Sequence, residues 1–112
     1  MAKLECQLRG NFSQILHDID NAVMGGSISA SCEDASNFDS SGARCAVRVY
    51  ERYSYMGGNR VSLNLTLFQN GNQIYLSAIT AGGSQAVFFK LNTFGEEAFL
   101  DTIRDTVEQY RA

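Results

Sequence analysis

Apolar and polar residues along this chain either alternate or recur every three to four positions, and each switch between the two periods marks a new element. From Lys3 to Arg9, Leu4, Cys6 and Leu8 fall on one side and Lys3, Glu5, Gln7 and Arg9 on the other, which predicts a half-buried strand. Gly10 breaks it. Asn11 with Gln14 three residues later is a capping pair for a helix start, and Phe12, Ile15, Leu16, Ile19 and Val23 then follow at helical spacing. Gly25 and Gly26 predict a left-handed helix end. A second strand is expected over Ser27 to Glu33, with Ile28, Ala30 and Cys32 inward. The polar segment from Asp34 to Gly42 has no period and reads as a loop, anchored to the body by Phe38.

The middle of the chain reads as a meander of antiparallel strands. Between Arg44 and Tyr55 the odd positions Cys45, Val47, Val49, Tyr53 and Tyr55 form the more apolar set, interrupted by Glu51, and the next strand carries Val61, Leu63, Leu65 and Leu67. Paired residues share a face, so both sets point inward only through an odd-length turn at Met56-Gly57-Gly58, with Tyr53 opposite Val61 and Val49 opposite Leu65. Asn70-Gly71 is a strong two-residue hairpin signal, predicting Leu67 opposite Ile74, Leu65 opposite Leu76 and Leu63 opposite Ala78. Gly82-Gly83 offers a third turn, pairing Ala78 with Val87 and Leu76 with Phe89.

Thr93 and Glu96 have capping-box spacing, and Phe99, Leu100, Ile103, Val107 and Tyr110 make one stripe of a C-terminal helix. The order is strand, helix, four or five further strands, helix. The fold class expected is α+β, a single antiparallel curved sheet of five or six strands with both helices on one face. Architecturally it resembles the helix-grip and TATA-binding-protein-like arrangements, in which a curved sheet wraps a long C-terminal helix.

Composition narrows the function classes. At 112 residues and 45% hydrophobic content, the chain suits one domain, 1–112, able to close a core without metal or disulfide staples. A net charge of −3 gathers no phosphates and weighs against nucleic acid as partner. No run reaches the length of a membrane span and the start has no apolar leader, so a cytoplasmic protein without membrane attachment is expected. Cys6, Cys32 and Cys45 lack metal or redox spacing and read as buried free thiols. No cofactor and no metal are expected.

Candidate chemistry is sparse. His17 stands near Ser13, Asp18 and Asp20, but members of a triad converge from separate elements, so it reads as a surface histidine. Gly57-Gly58-Asn59 and Gly82-Gly83-Ser84 lack the ending of a phosphate loop and read as turns. The register places Glu51 inward beside Tyr53, the candidate ligand pocket between sheet and C-terminal helix. A carboxylate there must reach solvent or a partner. The opposite face gathers Arg48, Tyr50, Arg52, Asn64, Tyr75, Ile79 and Phe88. Tyrosine and arginine are enriched at interfaces, so this face is the candidate surface for homodimerisation.

The stretches RVYERYSYMGGNRVS, AITAGGSQAVFFK and TFGEEAFLD are similar to a small family of uncharacterised bacterial proteins, a domain of unknown function of Firmicutes-type bacteria. The resemblance implies one intact domain in a bacterial cytoplasm and brings no activity or cofactor. The expectation is a small non-enzymatic binding or protein-interaction module. The alternative is a ligand carrier or enzyme using the Glu51 pocket.

Overall fold

A computed structural model describes residues 1–54, 59–82 and 89–112, the last stretch with side chains from residue 95 onward. The elements in chain order are β1 (Ala2–Leu8), α1 (Phe12–Gly25), β2 (Ser31–Ser40), β3 (Ala43–Tyr53), β4 (Arg60–Asn70), β5 (Gln73–Gly82) and α2 (Phe89–Tyr110). The strands form one open antiparallel sheet in the order β1-β5-β4-β3-β2. Both helices lie on one face, giving the α+β architecture expected.

Alternation accounts for β1, β4 and β5. Leu8, Val61, Leu63, Leu65, Leu67, Ile74, Leu76 and Ala78 are buried beneath the helices. Helix α1 adds Phe12, Ile15, Ile19 and Val23, and α2 adds Phe99, Leu100, Ile103 and Val107. Each fully buried side chain of this size stabilises the fold by about 1.5–3 kcal/mol before entropy. Asn11 caps α1 by accepting the Gln14 N–H at 2.9 Å. Gly26, the C-cap, is right-handed at φ −81°; what requires a glycine there is Thr102 of α2, 3.0 Å from where a Cβ would stand. A second close approach holds α2 against the end of β3: a Cβ on Gly95 would lie 2.7 Å from Ser54 Oγ.

Four expectations are corrected. Ser27 to Ala30 is not strand, and Ile28 is fully exposed. The segment expected as a loop is β2, joined to β3 by a two-residue turn in which Ser41 (φ 46°) and Gly42 (φ 86°) are both left-handed, as a type I′ hairpin needs. An edge strand exposed on both faces has no reason to alternate, so its sequence carried no strand period. Thr93 does not begin the C-terminal helix, which starts at Phe89. Phe89 therefore does not pair with Leu76; β5 pairs with β1 instead, Leu76 opposite Cys6 and Ala78 opposite Leu4. Val87, Gly83 and the Met56-Gly57-Gly58 turn lie outside the described residues.

Register differs as well. Asn70 pairs with Gln73, so the turn is Gly71-Asn72 with Gly71 at φ 60°, the first-position glycine of a type II′ turn. Leu67 then faces Leu76, Leu65 faces Ala78 and Leu63 faces Thr80. The slide changes partners but not faces. In β3 the faces themselves are exchanged. Tyr53 pairs with Arg60 and Val49 with Asn64, so Arg52 meets Val61 and Tyr50 meets Leu63. Ala46, Tyr50 and Arg52 are the buried residues of β3. Beyond β1, the last residue of α2 and those after it run along the sheet edge: Arg9 N–H donates to Tyr110 O at 2.7 Å and Ala112 N–H to Gln7 O at 3.0 Å.

Candidate interaction face

With helices on one side only, the other face of the sheet is uncovered among the described residues, and the register arranges it in rows running from β2 across to β1. One row is Phe38, Cys45, Phe68, Tyr75 and Gln7. The next is Ser36, Val47, Thr66, Ser77 and Glu5, followed by Asp34, Val49, Asn64, Ile79 and Lys3. Phe38 is 58% exposed, Tyr53 56%, Tyr75 42% and Phe68 37%. Those four are more than half of the seven large hydrophobic side chains left exposed among the described residues. Below Phe68 and Tyr75 is an open hollow of about 400 Å³, walled also by Glu5, Thr66 and Ser77. Ser77 donates to Glu5 at 2.8 Å and Tyr75 to Gln73 at 3.1 Å.

Of the residues expected on this face, Asn64, Tyr75 and Ile79 lie there. Arg48, Tyr50 and Arg52 do not; they point to the helix side. Tyr50 is fully buried and Arg52 is 5% exposed. The physical reason lies in how these side chains are satisfied. The Arg52 guanidinium stacks on the Phe99 ring at 4.6 Å and that of Arg44 on Phe12 at 4.2 Å, a favourable cation–π arrangement. The Tyr50 hydroxyl donates to Asp20 of α1 at 2.7 Å. Arg48 donates to Asn37 Oδ1 at 2.9 Å. Phe88 lies outside the described residues.

Glu51 is likewise on the outer face. It pairs with Arg60 at 2.5 Å, and Arg60 also approaches Glu33 at 3.6 Å and lies 5.8 Å from the Tyr53 ring centroid. Glu51 and Tyr53 are therefore neighbours, as expected, but they line no space between sheet and helix. Cys45 is half-buried on the outer face and Cys32 is exposed, so neither is a core thiol; Cys6 is half-buried on the helix side, where burial pushes its thiol pKa up.

The helix side supplies polar clamps. Burial, then the bond to Asp20, pushes the Tyr50 phenol pKa up. The Tyr110 hydroxyl donates to Asp18, which draws the Asp18 carboxyl below and the Tyr110 phenol above their ordinary ranges. Glu96, expected to cap α2, instead accepts the Gly82 N–H at 3.1 Å and meets the Met1 nitrogen at 2.5 Å. His17 bonds Asn21 at 3.1 Å on the exposed side of α1, with no Ser-His hydrogen bond among the described residues. Among the described residues, no three His, Cys, Asp or Glu side chains stand close enough to share a metal ion, and no helix is long and apolar enough to cross a membrane.

Phe38 and Phe68 were not candidates from the sequence, Phe38 having been expected to anchor a loop inward. Phe38 is one aromatic in a polar segment and Phe68 stands near the end of the alternating strand β4; only cross-strand register brings them into line with Tyr75.

A two-layer α+β protein with one bare sheet face carrying an aromatic row is the class these features define. The chain belongs to a family of unknown function, DUF6054, whose model matches residues 1–111. No curated protein and no solved structure matches it.

Proposed function

We propose that the protein is a non-enzymatic interaction module that pairs with a second copy of itself through the outer face of its sheet. The observation that carries this reading is the Phe38–Cys45–Phe68–Tyr75 row on a face that no described element covers. Strands about 4.8 Å apart and seven to eleven residues long give the five-stranded face roughly 600–900 Å², near the ~800 Å² each partner contributes to a standard interface. A two-fold dimer uses the same patch twice. An aromatic row flanked by both acidic and basic residues, Glu5 and Lys3 at one edge and Glu51 and Arg60 towards the other, suits such self-pairing.

The proposal also sets the protein in a bacterial cytoplasm. Three unpaired cysteines suit a reducing compartment, and the motif resemblance supplies the bacterial source. The long α2 packed across β1, β5 and β4 favours the helix-grip-like description.

Sedimentation of the full chain tests the reading. The wild type is expected to dimerise, and Phe68→Glu or Tyr75→Glu to weaken the dimer about thirtyfold, the ~2 kcal/mol of an interface hot spot. A wild type that stays monomeric from micromolar to millimolar concentration, or a dimer indifferent to both changes, overturns it.

A further inference from the structure

The sheet ends in a strand open along its whole outer edge. β2 pairs with β3 on one side, and on the other no strand joins it among the described residues. Nine of its ten residues are exposed and Ser31 is half-exposed. A long open edge is a template for a further strand, and proteins usually blunt it with charges, bulges or covering segments. β2 has one bulge, at Glu33 near one end, which leaves Asp34 to Ser40 in unbroken register with β3.

The chemistry of this edge is one-signed. Glu33, Asp34 and Asp39 lie on the strand, with no basic residue. Glu33 has Arg60 at 3.6 Å, and Asp39 stands opposite Arg44 in the ladder. Asp34 has no ion-pair partner among the described residues; one of its oxygens accepts the N–H of Ala35 at 2.8 Å. Beside it the small Ser36 leaves a hollow of about 230 Å³ on the outer face, floored by Val47 and Val49.

We infer that the free edge of β2 accepts an extended, lysine- or arginine-bearing segment of another protein as a sixth strand, with a basic side chain lying over Val47 and Val49 and its charge on Asp34. Strand addition draws affinity from backbone hydrogen bonds and specificity from hollows that take alternate side chains. A lysine or arginine stem covers apolar surface while its head stays in water, which matches a valine floor with a carboxylate at its rim. A second copy of β2 fits this edge poorly. It brings three more carboxylates, Glu33, Asp34 and Asp39, and no lysine or arginine to meet them; like charges brought close across a strand pair are destabilising. The hollow lies on the same outer face as the aromatic row, whose Phe38 is itself on β2, so a bound segment competes with a partner copy for that end of the sheet. Strand addition does not rest on the dimer, however, and is read separately at the β2 edge.

The test uses amide hydrogen exchange and chemical shifts on the full chain. The probe is a blocked nine-residue peptide in which lysine alternates with valine or threonine; the control has every lysine replaced by glutamate. The lysine peptide is expected to slow exchange along Asp34 to Ser40 and to bind less tightly as salt is added, while the glutamate peptide does neither. Asp34→Asn should weaken binding about two- to fivefold, the range of one exposed ion pair. The inference is overturned if the two peptides bind alike, if the perturbed amides centre on Phe68 and Tyr75, if Asp34→Asn binds as the wild type does, or if β2 amides are already protected in the free protein by self-pairing.

Discussion

Tyr50, wholly buried on the helix side of β3, donates its hydroxyl hydrogen to Asp20 of α1 at 2.7 Å. This single bond ties the sheet to the helix that covers it. Tyr50→Phe leaves the ring in place and the Asp20 carboxylate without its donor, and is expected to cost about 1–2 kcal/mol. Tyr50→Ala also opens a cavity and should cost about 3–5 kcal/mol. Urea unfolding curves for the two variants would separate the hydroxyl from the ring; equal losses would contradict this division.

With the Tyr110 phenol and the Cys6 thiol, the Tyr50 phenol contributes to the alkaline limb of stability. Its folded pKa is raised above the unfolded value near 10, so its contribution is fully present below about pH 10 and is lost as pH rises towards the folded value. Urea midpoints measured from neutral pH to about pH 11 should therefore fall more steeply for the wild type than for Tyr50→Phe.

At the acid end the sign is reversed. The Tyr110 hydrogen bond depresses the Asp18 pKa, so its contribution is present above about pH 4, the unfolded value, and disappears as pH falls through the folded one. Tyr110→Phe is expected to flatten the acid limb and leave the alkaline effect of Tyr50 in place. Matching acid limbs for the two proteins would show that the contact carries no linkage.

Gly95 is where α2 touches Ser54 most closely. Alanine favours a helix by about 1 kcal/mol over glycine, yet here the added Cβ lies 2.7 Å from Ser54 Oγ and 3.1 Å from its Cβ. Gly95→Ala should be net destabilising by about 1–2 kcal/mol. Combining it with Ser54→Gly should recover more than half of the loss; strict additivity in thermal melts would remove the steric explanation.

Ser41 adopts φ 46° in the β2–β3 turn, a conformation that asparagine tolerates better than serine. Ser41→Asn is expected to raise stability by about 0.5 kcal/mol, read as a higher melting temperature with an unchanged dimerisation constant.

How much of this was legible in the chain depended on how one-sided each element is. β1, α1, β4, β5 and the α2 stripe have one apolar face and one polar face, and their buried residues follow from period alone. β3 has two mixed faces. Val47 and Val49 looked like core and Arg48, Tyr50 and Arg52 like surface, because hydropathy does not register a guanidinium stacked on Phe99 or a phenol satisfied by Asp20. That inversion exchanged the expected tyrosine–arginine face for one of valines and aromatics, and carried Glu51 out of its expected pocket into an ion pair with Arg60. Tyr75, Asn64 and Ile79 were placed on the right face since β4 and β5 kept their parity despite sliding. The same β4 parity turns Phe68 outward beside Asn64, whereas Phe38 could be placed only once β2 was known to be a strand.

The two borders of the sheet are unequal. At β1 the stretch from Gln7 to Arg9 is occupied by Tyr110 and Ala112, with Arg111 bridged to Leu8, whereas among the described residues no strand pairs with the outer edge of β2. A strand added at β2 therefore meets no equally open border on the next molecule from which to continue. Growth by strand addition has a favoured start at β2 and only the short stretch from Ala2 to Cys6 at the other border from which to continue, an asymmetry that works against extension into a fibre.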